Sequence, residues 1–163
     1  MRRTWGRRGE TPVLVVPFNW KRLSAIASLI TTPRARRVGL CLRLLPHTVK
    51  ARDICRYLQQ LKVHVCGRGL VLLWDRLPAH RSKRVQRYLE KQRDWLTVEY
   101  LPAYAPELNP VEDLWSYIDG HEEVANGSWK HLSQVRKQVH RAARDVRRGV
   151  NLGRSFLKHS RLF

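Results

Sequence analysis

The sequence predicts an α/β fold, a sheet flanked by helices, and three observations carry that expectation. Apolar residues alternate with others from Val38 to Leu44, the period of a strand. They recur at helical spacing over Ala51, Ile54, Leu58 and Leu61. From Leu70 onward strand-like and helix-like stretches take turns, as in parallel strands joined by right-handed crossovers.

Taken in order, Thr11 to Val16 follows a basic, glycine-containing turn and reads as a short strand. Leu23 to Ile30 is a nearly continuous apolar run broken by Ser24 and Ser28, the pattern of a strand buried on both faces. Thr31-Thr32-Pro33 ends it, and a short basic turn leads to Val38 to Leu44, so these two strands are expected to pair antiparallel. A helix follows from about Val49 to Leu61, with Thr48 as its N-cap. Gly67 and Gly69 lead into the wholly apolar strand Leu70 to Trp74. The next helix runs from about Ser82 to Gln92 and buries Val85, Tyr88 and Leu89. Leu96, Val98 and Tyr100 alternate in a fifth strand. Beyond a loop holding Pro102 and Pro106, a helix starts near Pro110. A last long helix, about Lys130 to Arg148, buries Leu132, Val135, Val139, Ala142 or Ala143, and Val146.

A chain of 163 residues with 43% hydrophobic content suits one domain with a proper core, expected to span 1–163. Its charge is the more telling number. Lys and Arg total 32 against 13 Asp and Glu, a net charge of +19 and a pI near 11.1. Such a surplus repels itself unless a polyanion screens it, and nucleic acid is the natural partner because phosphate binding releases condensed counterions. A basic ribosome-associated protein shares this composition. Cys41, Cys55 and Cys66 show no paired spacing, so neither a zinc site nor a disulfide framework is indicated. No apolar run reaches membrane-spanning length, and a reducing cytoplasm is the expected compartment.

Two carboxylates stand out. Asp75 follows the strand Leu70 to Trp74, and in open α/β sheets the functional crevice lies outside the carboxyl ends of the strands. An Asp capping a turn before Pro78 is the structural alternative. Glu112 lies three residues after Asn109, with Pro110 at the first helical position. Its structural alternative is a capping box, the carboxylate reaching back to the Asn109 amide. Two acids from separate segments at a sheet rim suit a hard divalent cation such as Mg²⁺. Paired metals roughly 4 Å apart can activate water and stabilise a leaving oxygen.

The segment Leu72-Leu73-Trp74-Asp75-Arg76-Leu77-Pro78-Ala79-His80-Arg81-Ser82 resembles the second-aspartate motif of bacterial insertion-sequence transposases in the mariner superfamily. Tyr100-Leu101-Pro102-Ala103-Tyr104-Ala105-Pro106-Glu107-Leu108-Asn109-Pro110-Val111-Glu112-Asp113-Leu114-Trp115 is similar to that family's third-acid motif. Asp75 and Glu112 have 36 residues between them (112 − 75 − 1), close to the family's interval. Arg3-Thr4-Trp5-Gly6-Arg7-Arg8-Gly9-Glu10-Thr11-Pro12 looks like its hairpin, and Asn151-Leu152-Gly153-Arg154-Ser155-Phe156 also looks familial. The resemblance covers nearly the whole chain.

It implies an RNase H-like mixed sheet flanked by helices and a DDE transposase that cuts and joins DNA with Mg²⁺ or Mn²⁺. Asp75 and Glu112 match the second and third of the family's three acids. The first acid belongs on a strand upstream of the hairpin, so the fold is expected to lack the family's first strand and its helix-turn-helix region. Only Glu10 and Asp53 precede Asp75; a hairpin-loop and a mid-helix position suit neither to that role. The expectation is a catalytic fragment acting on transposon ends and target DNA, with the first Asp and the helix-turn-helix on an upstream-frame polypeptide. An inactive DNA-binding remnant is the alternative, and a homodimer is compatible with either. The missing strand also predicts lowered stability and association. His80, Arg81, Lys83, Arg136, Lys137, Arg141 and Arg144 are the candidate DNA contacts, and His140 and Arg147 share the basic last helix. The implied location is the bacterial cytoplasm, at the nucleoid. For His80 a packing role competes with a phosphate contact, and Trp115 is expected in the core.

Overall fold

The computed structural model describes residues 9, 23–33, 38–120 and 132–160. The expected hairpin over Arg3 to Pro12, apart from Gly9, and the strand Thr11 to Val16 lie outside them. Strands β1 (Ser24–Thr31) and β2 (Val38–Leu45) pair antiparallel in the register Ser24↔Leu45 to Thr31↔Val38, as the sequence predicts. Strands β3 (Leu70–Trp74) and β4 (Leu96–Tyr100) pair parallel, from Leu70↔Leu96 to Trp74↔Tyr100. Helices α1 (Ala51–His64) and α2 (Lys83–Glu90) precede those two strands. Helices α3 (Pro110–Gly120), α4 (Leu132–Arg148) and α5 (Val150–His159) follow.

The expected single mixed sheet is divided: among the described residues no strand joins the β1–β2 pair to the β3–β4 pair. Side-chain alternation instead makes the β1–β2 pair the wall between two cores. Leu40, Leu42 and Leu44 face one core with α3, α4 and α5, while Cys41 faces the other with α1 and α2. In β1, Ala25, Ala27 and Leu29 line the first core, and Ile26 and Ile30 the second. Both faces of β1 are thus used, although every one of its residues is only partly buried. In β3, by contrast, Leu70, Leu72 and Trp74 line the second core while Val71 and Leu73 are 61% and 41% exposed. An unbroken apolar run does not by itself mean two covered faces.

Helix α1 starts later than the sequence suggests. Its N-cap is Lys50, not Thr48, and Val49 lies outside it. The Lys50 amide donates to Asp53 Oδ2 at 3.1 Å, and His47 Nε2 lies 3.2 Å from the same oxygen. A carboxylate three residues into the helix thereby takes over a free backbone donor and complements the helix dipole. That gives Asp53, 2% exposed, a structural role.

The α4 boundary agrees with the sequence where it is described, 130–131 lying outside the described residues, and both Ala142 and Ala143 are buried. Helix α5 is a helix that periodicity did not reveal. Gly153 in its middle explains why. A Cβ there would meet Val38 Cβ and Cγ1 at 3.0 Å, so glycine lets the helix lie against β2. The same residue weakens the helical signal by about 1 kcal/mol relative to Ala.

Tyr57 links α1 to both strands. Its hydroxyl donates to the Cys41 carbonyl oxygen at 3.0 Å and lies 2.8 Å from Ser28 Oγ. Burial pushes its ionisation far above the usual tyrosine value, and the neighbouring Cys41 adds to this. With a folded pKa raised above the unfolded one, the contribution is complete below about pH 10 and is lost as pH rises, because only the unfolded chain releases the proton. Tyr57→Phe should cost about 1–3 kcal/mol near neutrality, since it strips the carbonyl of its donor. It should also flatten the alkaline fall in stability, as read by denaturant melts at about pH 7 and about pH 10.5.

Candidate active site

Parallel pairing places the carboxyl ends of β3 and β4 on one rim, and the chain holds that rim together after the strands stop. The Leu101 amide donates to the Trp74 carbonyl at 2.8 Å. Arg76 Nε donates to the Leu101 carbonyl at 3.0 Å. The loop after β3, which carries Asp75, is therefore tied to the loop after β4.

Asp75 Oδ1 accepts the Leu77 amide at 3.1 Å, the turn contact that the sequence left as the structural alternative. His80 Nδ1 lies 2.6 Å from the same oxygen, with the His80 ring stacked on Trp74 at 4.1 Å between centroids. The oxygen sits off the N–H axis, so the contact is a close polar approach and not a directed hydrogen bond. His80 is thus packed, with its side chain only 14% exposed, and the packing reading of this residue holds. Both contacts use Oδ1. Among the described residues nothing engages Oδ2 of Asp75, whose side chain is 36% exposed.

Glu112 arrives from the other direction. Pro106–Leu108 form a 3-10 turn, closed by the Asn109 amide donating to the Pro106 carbonyl at 2.9 Å. Asn109 Oδ1 then accepts the Val111 amide at 3.3 Å, capping α3 at Pro110 as the sequence predicts. Because the Asn109 amide is already used, Glu112 does not close a capping box. It is exposed, in the first turn of α3, and among the described residues its carboxylate has no hydrogen-bond or ionic partner. The next residue, Asp113, pairs instead with His159 of α5 at 3.0 Å.

The Glu112 carboxylate and Oδ2 of Asp75, both unengaged among the described residues, are hard oxygen donors, the chemistry that suits Mg²⁺ or Mn²⁺. The set is incomplete among the described residues, where no group of three or more His, Cys, Asp or Glu could hold a metal ion. Asp75 and Glu112 also stand on different frames. Helix α3 packs on β1, α4 and α5, whereas β3 belongs to the second core.

The cationic candidates fall into two groups. Arg81 and Lys83 are exposed at the start of α2, on the Asp75 side. Arg136, Lys137, Arg141 and Arg144 are exposed along α4, which packs in the other core. The two groups thus stand on elements of different cores. Arg147, also exposed, is in addition tied to the sheet, its Nε donating to the Leu40 carbonyl of β2 at 3.0 Å. Trp115 packs against the first core, as expected. Sequence reasoning passed over Tyr104, which is 102% exposed with φ 58° in the loop bound to Asp75's loop. Its signal is an aromatic between Ala103 and Ala105, flanked by Pro102 and Pro106 in a loop that no strand or helix period covers. No described helix is long and apolar enough to cross a membrane.

Comparison with known proteins places this geometry in context. The fold is similar to that of the Mos1 transposase in its strand transfer complex, with a TM-score of 0.53 at 18% identity over 99% of this chain and 50% of that one. The Mos1 mariner paired-end complex with Mn gives a TM-score of 0.53 at 21% identity, over 98% of this chain and 50% of that one. In sequence, 34% of the chain is 32% identical, over 59 residues, to 19% of the transposable element Tcb2 transposase of Caenorhabditis briggsae. The chain therefore spans half the length of the Mos1 chains and about a fifth of the curated relative. Residues 1–136 match the DDE superfamily endonuclease family and include both Asp75 and Glu112, and the chain belongs to that family.

Proposed function

We propose that this chain is the catalytic part of a DNA transposase of the bacterial insertion-sequence type, performing metal-dependent strand cleavage and transfer at transposon ends. One observation carries the reading: Asp75 is fixed through Oδ1 at the rim of β3, with Oδ2 unengaged among the described residues, inside the region that matches the endonuclease family. Asp75 and Glu112 would hold Mg²⁺ or Mn²⁺, which supplies an activated water and stabilises the leaving 3′ oxygen. The Mos1 relatives were seen in paired-end and strand transfer complexes, one with Mn, which supports DNA and a divalent metal as this chain's partners. The rest belongs to the chain itself. The Leu77 amide and His80 hold the Asp75 carboxylate in one orientation, and Trp74 holds His80. Arg81 and Lys83 contact phosphates beside Asp75, and Arg136, Lys137, Arg141 and Arg144 grip the backbone along α4. The family's first acid comes from a partner polypeptide that also carries the helix-turn-helix, and the chain acts as a homodimer. The whole 1–163 acts as one catalytic domain in a bacterial cytoplasm, at the nucleoid.

A second reading, an inactive DNA-binding remnant, is favoured by the absence of a three-acid cluster among the described residues. Nicking of supercoiled plasmid separates the two. The transposase reading expects nicks that need Mg²⁺ or Mn²⁺ and stop with EDTA, from the chain together with the polypeptide encoded upstream. Cation-independent binding with no nicks in that mixture would leave the remnant. Both readings expect affinity to fall steeply with salt, with a log–log slope of about −0.9 per phosphate neutralised.

A further inference from the structure

Two residues outside glycine take a positive φ among the described positions, and only one has a local reason. Cys66, at φ 55°, ends α1, where the Gly67 amide donates to the Lys62 carbonyl at 3.0 Å. A left-handed residue is the ordinary way to terminate a helix. Tyr104, at φ 58°, ends no helix. A bulky L-residue there is strained. Its ring, moreover, is wholly outside the protein, 102% exposed, so the fold gains no burial from it. Strain combined with a solvent-held aromatic is unfavourable for the isolated chain, and both occur on the loop that Arg76 binds to the loop of Asp75. Leu77, 54% exposed, adds apolar surface on the Asp75 loop.

Held this way, the ring offers a π-face on the loop tied to that of the candidate carboxylate, in a chain of net charge +19. The ligand that supplies negative charge and a flat apolar face together is a nucleotide. We propose that Tyr104 stacks on an unpaired nucleobase next to the strand positioned at Asp75. It thereby sets which nucleotide approaches the rim. This rests on the nucleic-acid part of the function proposed above and not on its metal chemistry.

The test uses the full chain in EDTA with a single-stranded oligonucleotide carrying 2-aminopurine, whose fluorescence falls on stacking. Wild type and Tyr104→Phe should both quench the probe, because stacking needs the ring and not the hydroxyl. Tyr104→Gly should lose the quench and bind about tenfold more weakly, the scale of one stacked base. Its melting temperature should stay level or rise, since glycine relieves the strained φ. Quenching and affinity unchanged in Tyr104→Gly would overturn the proposal. So would loss of the quench in Tyr104→Phe, or a lowered melting temperature in Tyr104→Gly, which would make Tyr104 a structural residue. Working in EDTA keeps the outcomes apart: Tyr104-dependent quenching without metal-dependent nicking sinks the metal reading alone.

Discussion

Asp75→Asn should reduce Mg²⁺-dependent nicking by about three orders of magnitude while DNA affinity changes less than twofold. The size follows from the several kcal/mol that a correctly held metal contributes, at about 1.36 kcal/mol per tenfold in rate. Asparagine keeps an oxygen where Oδ1 accepts the Leu77 amide, so the turn should survive. What it removes is the negative charge and the oxygen that is unengaged among the described residues. Mn²⁺ binding followed by electron paramagnetic resonance gives a readout apart from turnover, and the variant should bind the ion at least about tenfold more weakly. Four of the assigned DNA contacts, Arg136, Lys137, Arg141 and Arg144, stand on α4 in a different core, and the turn kept by asparagine leaves Arg81 and Lys83 in place, which is why affinity should be nearly untouched. Unchanged nicking would end the catalytic assignment of Asp75. A matching fall in DNA affinity would instead make Asp75 a support of the DNA surface.

The physics of these segments explains which of them could be read from sequence. Asp75 was placed correctly because an apolar run ending in a carboxylate is a local pattern, and β3 ends at Trp74. The start of α3 was equally local, since Asn109 and Pro110 fix the cap without help from the rest of the chain. Whether Glu112 closed that cap depended on the Asn109 amide, which the 3-10 turn had already taken. Three further features are tertiary and left no local trace. Gly153 marks an approach to Val38, 115 residues away in sequence (153 − 38), and it hid α5. Arg147 reads as one more cation of a basic face, and nothing local shows that β2 supplies a carbonyl for it. The division of the strands into two pairs depends on which strands find one another, and periodicity says nothing about that. Lys50 displaced Thr48 as the cap because Asp53, three residues on, could reach its amide.

Leu114→Ala should be the most damaging single truncation for the half of the molecule that carries Glu112. Leu114 is fully buried at 0% exposure, two residues after Glu112, in the core shared with Leu40, Leu42 and Val146. Removing a large buried side chain costs about 2–5 kcal/mol, from lost transfer energy and the cavity left behind. For a chain of this size that corresponds to a melting temperature about 6–15 °C lower. The damage should also be local. Leu114 belongs to the core of α3, α4 and α5, whereas Leu58, Leu61, Val85 and Trp95 belong to the other, with the β1–β2 pair between them. Amide exchange should therefore quicken in α3, α4 and α5 well before it does in α1, α2, β3 and β4. Asp75 and its contact with His80 would then persist while Glu112 loses its frame, and Mn²⁺ binding should weaken although the β3 rim is intact. Uniform acceleration through both cores would mean that the β1–β2 pair couples them into one cooperative unit. The two carboxylates would then be held by a single framework, and a substitution in either core would disturb both.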